Sequence, residues 1–202
     1  SDEKDENGNY SLGIDDVIAT NKDASYNASI GLLGEALQKN NVANAIIEET
    51  ESRNSYVLTS DPKGNTRNIF SNDSKKVDEL LNRSKKSVLF AHLPNVNNRL
   101  TDKEFSDILR RFSVQNTEVM ILGTHDFNGP ENLKVAALNS GNQLGTLSSG
   151  TRQRDGLIEL VDIAPTILNR LCIKSKLDYE GSFVSTDKSD SSFTSLKNDR
   201  ID

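Results

Sequence analysis

The stretch from Gly145 to Gly156, GTLSSGTRQRDG, holds the residues best suited to bind an anion. It places glycines, hydroxyl side chains and arginines close together in the chain. Glycines and hydroxyls let backbone N–H groups turn inward, and a guanidinium offers a planar fork that fits phosphate or carboxylate. The side chains that we single out as candidate anion ligands are Ser148, Ser149, Thr151 and Arg152.

A second interpretation of the same stretch is structural. Arg152 or Arg154 could pair with Asp155 or Glu159 and so fix the loop in front of the next helix. The sequence leaves both interpretations open.

A metal-binding or proton-transferring pair is the next candidate. His125 and Asp126 directly follow an apolar run that ends near Gly123, and imidazole and carboxylate suit either role. We favour a polar loop that caps the next element, because no second group of ligands accompanies the pair. His92, at the end of another apolar run, is interpreted as structural, and no residue is assigned a catalytic role.

Composition excludes several classes of protein. The net charge of −6 argues against nucleic acid as a partner, and two histidines cannot supply a His-rich metal centre. A single cysteine, Cys172, excludes an internal disulfide, and its place on the apolar side of the last helix predicts a core position. Neither a phosphate-binding glycine loop nor a Gly-x-Ser-x-Gly elbow is present.

Targeting segments are also missing from the sequence as given. No apolar run approaches the roughly 18 residues of a membrane helix. The first residues, Ser1–Glu6, are acidic and no apolar region comes after them, so we expect that any targeting segment has been removed.

The elements that must position these residues alternate between strands and helices. Compact apolar runs predict strands at Val42–Ile47, Ser87–Leu93, Glu118–Gly123 and Leu133–Leu138, with a more peripheral one at Ser55–Thr59. Helical spacing predicts four helices. The first contains Ile30, Leu33 and Leu37, and the second contains Val77, Leu80 and Leu81 after a cap at Asp73 or Ser74. The third follows the capping box Thr101–Glu104, and the fourth starts near Asp162 with Pro165 in its first turn.

This alternation predicts a three-layer α/β/α fold around a mostly parallel sheet, with strands near Val42, Val88, Val119 and Val135. We expect a polar tail over residues 1–20, one α/β domain over residues 21–181, and a flexible or docked polar tail over residues 182–202. The candidate loop at Ser148–Asp155 is then expected at the carboxyl edge of the sheet.

The segment Leu157–Leu168, LIELVDIAPTIL, resembles the alkaline phosphatase superfamily, which includes sulfatases, phosphodiesterases and phosphoglycerate mutases. Cys172-Ile173 and Glu180–Ser182 are similar to residues that come after that segment in the family, and Ser29–Gln38 is similar to a helix that precedes one of its strands. Leu147–Leu157 resembles a segment of uncharacterised actinobacterial envelope proteins with this fold. The resemblance extends over roughly residues 21–182.

The resemblance implies an alkaline phosphatase-like fold that lacks the family's N-terminal part, with its nucleophile. It also implies a two-metal site, from which this sequence departs. The family's Asp-His pair is reversed here as His125-Asp126, its Asp and His near Asn95–Asn98 are missing, and so is its late histidine within Ser148–Arg154. A phosphoryl-transfer site without these ligands cannot stabilise the charge of the transferring group.

The resemblance and its departures together imply a pseudo-hydrolase without metal or cofactor. We expect a non-catalytic, extracytoplasmic module of a membrane-tethered envelope protein, which binds another envelope protein or an anionic ligand. The alternative is a metal-dependent phosphoester or sulfate-ester hydrolase. Its zinc or manganese would be held by His125 and Asp126, and its nucleophile would lie in a missing N-terminal segment.

Overall fold

The computed structural model describes residues 10–11, 15, 18–19, 29–48, 54–66, 69–70, 74–92, 106, 110, 117–123, 136–139, 145–152, 155–175 and 179–187. The chain divides into two compact units. The first is Ser1–Asn95 with Leu168–Asp178, and the second is Val96–Ile167 with Tyr179–Asp202. Both units contain helical and strand segments, so the protein has a mixed α/β character.

Three of the predicted helices are present among the described residues, although the first begins at Leu32 and leaves out Ile30. The α-helices are α1 (Leu32–Lys39), α2 (Ser74–Arg83) and α3 (Ile163–Arg170), and two 3-10 helices cover Asn54–Leu58 and Leu160–Asp162. The predictions of helices around Leu37, after Ser74 and after Asp162 are confirmed. The helix predicted from Thr101 lies outside the described residues, apart from Ser106 and Arg110, which are helical.

The strands of the described residues form small sheets. They are β1 (Tyr10–Ser11), β2 (Ala43–Glu48), β3 (Asn65–Thr66), β4 (Ile69–Phe70), β5 (Ser87–His92), β6 (Val119–Leu122), β7 (Ala136–Asn139), β8 (Thr146–Ser148) and β9 (Ser185–Asp187). In the first unit, β2 lies between β4 and β5 in a parallel three-stranded sheet, and β1 pairs antiparallel with β3. The strands predicted at Val42–Ile47 and Ser87–Leu93 are therefore confirmed and pair with each other.

The core of the first unit is centred on β2. Ala45, Ile46 and Ile47 are consecutive and buried, as expected for a strand that is covered on both faces. Leu37 of α1 is fully buried as well. The continuous apolar run in the sequence thus corresponds to a stretch of β2 in which neither face of the strand is exposed to solvent.

The second unit departs from the single parallel sheet that was predicted. β6 pairs antiparallel with β7, with Val119 opposite Asn139, and it belongs to a different sheet from β5. The strand predicted at Leu133–Leu138 is present as β7 over Ala136–Asn139, and its first three predicted residues lie outside the described residues. Along β7 half-buried and exposed residues alternate, which is typical of an antiparallel strand with one face in solvent.

The prediction of a strand at Ser55–Thr59 is wrong, because residues Asn54–Leu58 form a 3-10 helix. The carbonyl of Tyr56 accepts hydrogen bonds from the backbone N–H groups of Thr59 and Ser60. The Ser60 hydroxyl donates to the carbonyl of Val57 at 3.2 Å. Such local hydrogen bonds offer the backbone an alternative to sheet pairing.

The candidate loop and the beginning of the C-terminal tail pair with each other. β8, which lies within the stretch 145–156, pairs antiparallel with β9, which lies within the tail. Val184, just before β9, is fully buried. Residues 182–187 of the tail are therefore docked on the second unit.

Within the described ranges, no helix is long and apolar enough to cross a membrane.

We predict that Gly34→Ala destabilises the protein. A Cβ at Gly34 would lie 2.1 Å from the carbonyl oxygen of Ser60 and 2.5 Å from that of Thr59, so α1 or the segment beneath it must move. At an exposed helical position, Gly→Ala stabilises a protein by about 1 kcal/mol, whereas overpacking destabilises it by about 1–3 kcal/mol. We expect the overpacking cost to be the larger effect here, because the new Cβ would clash with backbone atoms. Urea unfolding followed by circular dichroism measures the difference.

The matched control is Asn82→Ala, at an exposed position of α2, whose effect should stay within about 0.5 kcal/mol of wild type. A Gly34→Ala protein as stable as wild type would show that α1 does not approach Ser60 this closely.

Candidate functional site

The carboxylate of Asp162 is the centre of the candidate loop. Asp162 is fully buried, and its Oδ2 accepts hydrogen bonds from the Ser149 hydroxyl at 2.7 Å and the Glu159 N–H at 2.8 Å. Its Oδ1 accepts from the Thr151 hydroxyl and, at 3.0 Å, from the Ser182 N–H. Four donors thus surround one buried negative charge, and we call these five residues the Asp162 cluster.

The local sequence explains why Asp162 occupies this position. Asp162 ends the 3-10 helix that leads into α3, and it forms a capping box with Glu159, in which each side chain accepts a hydrogen bond from the backbone N–H of the other residue. The Thr166 hydroxyl, one turn further on, donates to the carbonyl of Asp162 and accepts from the N–H of Val184 at 2.8 Å. The start of α3 therefore bonds to both the loop and the tail.

The pKa of Asp162 reflects two opposing effects. Burial raises the pKa, because it disfavours the charged form. Hydrogen bonds from Thr151, the Glu159 N–H, Ser149 and the Ser182 N–H favour the carboxylate and lower the pKa below its usual value. The Asp162 cluster therefore holds an ionised carboxylate at neutral pH.

The four predicted anion ligands all bind carboxylates of this chain. Ser149 and Thr151 donate to Asp162. Ser148 donates to Oδ2 of Asp187 on the paired strand β9. Arg152 contacts Oε1 of Glu159 through its Nε. Each of the four residues thus contacts a carboxylate that the chain itself supplies, and their role as ligands of an external anion stays a prediction.

The pairing of Arg152 with Glu159 is the second interpretation that the sequence had left open. The ion pair is not buried, since the Arg152 side chain is 60% exposed and that of Glu159 is 32% exposed. An exposed ion pair of this kind contributes about 0–1 kcal/mol. Arg152 therefore secures the loop weakly compared with the buried cluster, and binding of an external anion at its exposed guanidinium stays a prediction.

His125 and Asp126, the ligands of the alternative metal site, lie outside the described residues. Within the ranges that the structure describes, no three His, Cys, Asp or Glu side chains gather in a group that could hold a metal ion. Asp162 is a buried acid beside the loop, and each of its two carboxylate oxygens already accepts two hydrogen bonds. The four hydrogen-bond donors around Asp162 suit a structural carboxylate and not a metal ligand.

The predicted core position of Cys172 is wrong, because this residue is exposed. Helix α3 ends at Arg170, and Cys172 adopts a left-handed conformation with φ of 54°. Its N–H bonds to the carbonyl of Asn169, and the next N–H, of Ile173, bonds to the carbonyl of Leu168. This C-terminal turn moves Cys172 off the apolar face on which helical spacing had placed it.

Sequence reasoning recognised Asp162 as a helix start but missed its role as the partner of the loop. One available indication was the acidic residue Glu159 three positions before Asp162, which is the spacing of a capping box. The hydroxyls that complete the cluster come from ten or more residues earlier in the chain, and no local pattern connects them to Asp162.

No protein-family model, curated protein or solved structure matches the chain. The contacts of the loop and of Asp162 are therefore the observations that bear on function.

We predict that Asp162→Asn strongly destabilises the protein. An amide keeps one acceptor oxygen but turns an NH₂ group toward hydrogen-bond donors, so buried donors lose their partner. The expected loss is about 2–4 kcal/mol of the free energy of unfolding, measured by urea denaturation.

Asp155→Asn is the matched control, since Asp155 is an exposed residue of the same segment and its replacement should cost less than about 0.5 kcal/mol. Equal stability of the two variants would mean that the carboxylate of Asp162 is not the group that holds the loop.

The stabilising effect of Asp162 should also depend on pH. Its pKa in the folded protein lies below the value of about 3.9 in an unfolded chain, so its contribution is complete well above pH 4 and is lost as pH falls through the folded-state pKa. The stability difference between wild type and Asp162→Asn should be constant from about pH 6 to 8 and should shrink below about pH 4. A difference that grows on acidification would show that the folded state raises this pKa.

Proposed function

We propose that the chain is a non-catalytic, extracytoplasmic module of an envelope protein, a pseudo-hydrolase that acts as a scaffold by binding a partner. The observation that carries this proposal is the use of the loop's donors. Ser149 and Thr151, which an anion-binding or catalytic loop would aim at its ligand, instead donate to the chain's own buried Asp162.

Energetics favour this internal use over binding an external phosphate or carboxylate. A single charge-assisted hydrogen bond contributes about 1.5–3 kcal/mol. Turning the two hydroxyls toward an external anion would exchange two such bonds for two others, and it would leave the buried carboxylate of Asp162 with only its two N–H donors, which adds a desolvation cost. The loop therefore gains nothing by exchanging Asp162 for a ligand.

Of the four candidate ligands, Arg152 is the one that keeps an exposed group for an external anion, its guanidinium. That side chain is exposed, and its Nε contacts Glu159. A single exposed arginine binds anions weakly. This supports a partner protein over a small anionic ligand as the main occupant.

The alkaline phosphatase-like, three-layer fold forms part of the proposal. The parallel strands β4, β2 and β5 support it, because α2 connects β4 to β5 as helices connect parallel strands in layered α/β folds. The antiparallel pair of β6 and β7 is a departure from that pattern.

The lack of catalysis is supported by the departures from the superfamily's metal site. His125 and Asp126 stand in reversed order, and no Asp or His occurs within Asn95–Asn98 or within Ser148–Arg154, where the family has further ligands. The extracytoplasmic location is supported by the likeness of Leu147–Leu157 to envelope proteins.

We predict that the untagged protein binds no stoichiometric zinc or manganese and turns over neither a phosphomonoester nor a phosphodiester. Metal content is measured by elemental analysis, and turnover is measured on the longest natural chain, so that an upstream nucleophile would be included. His125→Ala and the control His92→Ala should then behave alike, because neither histidine would serve catalysis.

Stoichiometric metal together with turnover that His125→Ala abolishes and His92→Ala retains would overturn the proposal. It would establish the metal-dependent hydrolase in its place.

A further inference from the structure

Large apolar side chains are exposed on one surface of the second unit. Within the described part of the chain, the exposed large apolar residues are Leu58 at 45%, Leu160 at 70%, Val161 at 43% and Phe183 at 51%. Three of these four belong to the second unit, and exposed apolar groups that occur together mark interaction sites more often than scattered ones. We call Leu160, Val161 and Phe183 the apolar patch.

The two segments that carry the apolar patch are adjacent in space. A Cβ built at Gly181 would lie only 2.2 Å from the carbonyl oxygen of Val161, so the two backbones are in direct contact. The N–H of Ser182 donates to the carboxylate of Asp162, which follows Val161. Leu160 and Val161 on one segment and Phe183 on the other therefore share one region of the surface.

The Asp162 cluster holds this region in a fixed conformation. Its bonds reach the N–H of Glu159, directly before the patch residue Leu160, and the N–H of Ser182, directly before Phe183. Val184, directly after Phe183, is fully buried and bonds to Thr166. A surface that is already ordered loses less entropy when a partner binds, so these contacts prepare the patch for docking.

The charge around the apolar patch selects the chemistry of the partner. The described residues of the ranges 145–152, 155–167 and 179–187 include one basic residue, Arg152, and five acidic residues. Asp162 is buried in its cluster and Glu159 is paired with Arg152, which leaves three exposed carboxylates for a partner, those of Asp155, Glu180 and Asp187. Glu180, which is exposed, lies three residues before Phe183. A partner with basic side chains around its apolar contacts is complementary to this surface.

The size of the apolar patch argues against a second copy of this chain as the occupant. A stable interface takes about 800 Å² and 20–30 residues from each partner, which three side chains cannot supply. Two copies, each with a net charge of −6, would also bring charge of the same sign together. A short segment with a few apolar anchors fits the available surface better.

We infer that the apolar patch is the docking site for a short basic segment of a partner protein, whose leucine or aromatic side chains contact Leu160, Val161 and Phe183 and whose lysines or arginines face the surrounding carboxylates. This inference rests on the proposed scaffold function and supplies the surface through which the scaffold would act.

The test uses two synthetic peptides with identical leucine and phenylalanine positions, one with lysines and one with glutamates between them. Fluorescence anisotropy at physiological salt measures their affinity for the 202-residue chain. The lysine peptide should bind and the glutamate peptide should not. Leu160→Ser combined with Phe183→Ser should weaken binding of the lysine peptide at least tenfold, and Glu180→Gln should weaken it a few-fold.

Leu58→Ser is the matched control, because it removes an exposed leucine from the other unit and should leave the affinity unchanged. Urea unfolding checks that each variant is folded, and Leu160→Ala alone replaces the double variant if that one is not. No binding of the lysine peptide, equal binding of the two peptides, or an equal loss in Leu58→Ser would overturn the inference. Each of these results leaves the proposed lack of catalysis intact, and metal-dependent turnover would overturn the proposed function without affecting the peptide result.

Discussion

The second unit depends on a carboxylate that is buried without a cation beside it in the described structure. Taking a carboxylate out of water costs several kcal/mol, and this cost is tolerated only when hydrogen bonds replace the lost hydration. For Asp162 the replacement comes from two hydroxyls and two backbone N–H groups. These donors belong to the candidate loop, to the turn before α3 and to the tail, so the three segments must be in place together.

This requirement gives an otherwise polar tail a defined structure. The sequence after Gly181 is rich in Ser, Asp, Lys and Thr, a composition that buries little apolar surface. The Ser182 N–H bonds to Asp162, and Val184 enters the interior with its N–H on the Thr166 hydroxyl. Strand β9 then pairs with β8, which lies beside the loop. Residues 182–187 are thus docked because this segment donates a hydrogen bond to one buried charge, on Asp162, and buries one apolar side chain, that of Val184.

The same constraint bears on what the loop can do. Hydroxyls, glycines and an arginine are the groups that proteins use to hold phosphate, and chemistry alone does not distinguish a ligand from an internal carboxylate. The difference lies in the free energy of exchange, which is unfavourable once the internal carboxylate is buried. The internal use of these donors supports the proposal that the loop is a rigid support and that recognition falls to the neighbouring apolar side chains of Leu160, Val161 and Phe183.

The sequence by itself determined those elements whose pattern is local. Helices α1, α2 and α3 follow from apolar spacing, supported at α2 and α3 by residues typical of helix starts, and the buried strand β2 follows from its continuous apolar run. These features act within a few residues of the chain. The residue types of the hydroxyl-rich loop likewise predicted contacts with anionic groups, and in the structure its hydroxyls donate to carboxylates of the chain.

Only the tertiary structure decided the partners. It paired β6 with β7 in a sheet that does not include β5, formed a 3-10 helix over Asn54–Leu58, and exposed Cys172 at a left-handed turn. It also brought Ser149 and Thr151 to Asp162. Strand pairing and hydrogen bonds across ten or more residues depend on which groups are buried together, and burial is a property of the folded chain that no local pattern contains.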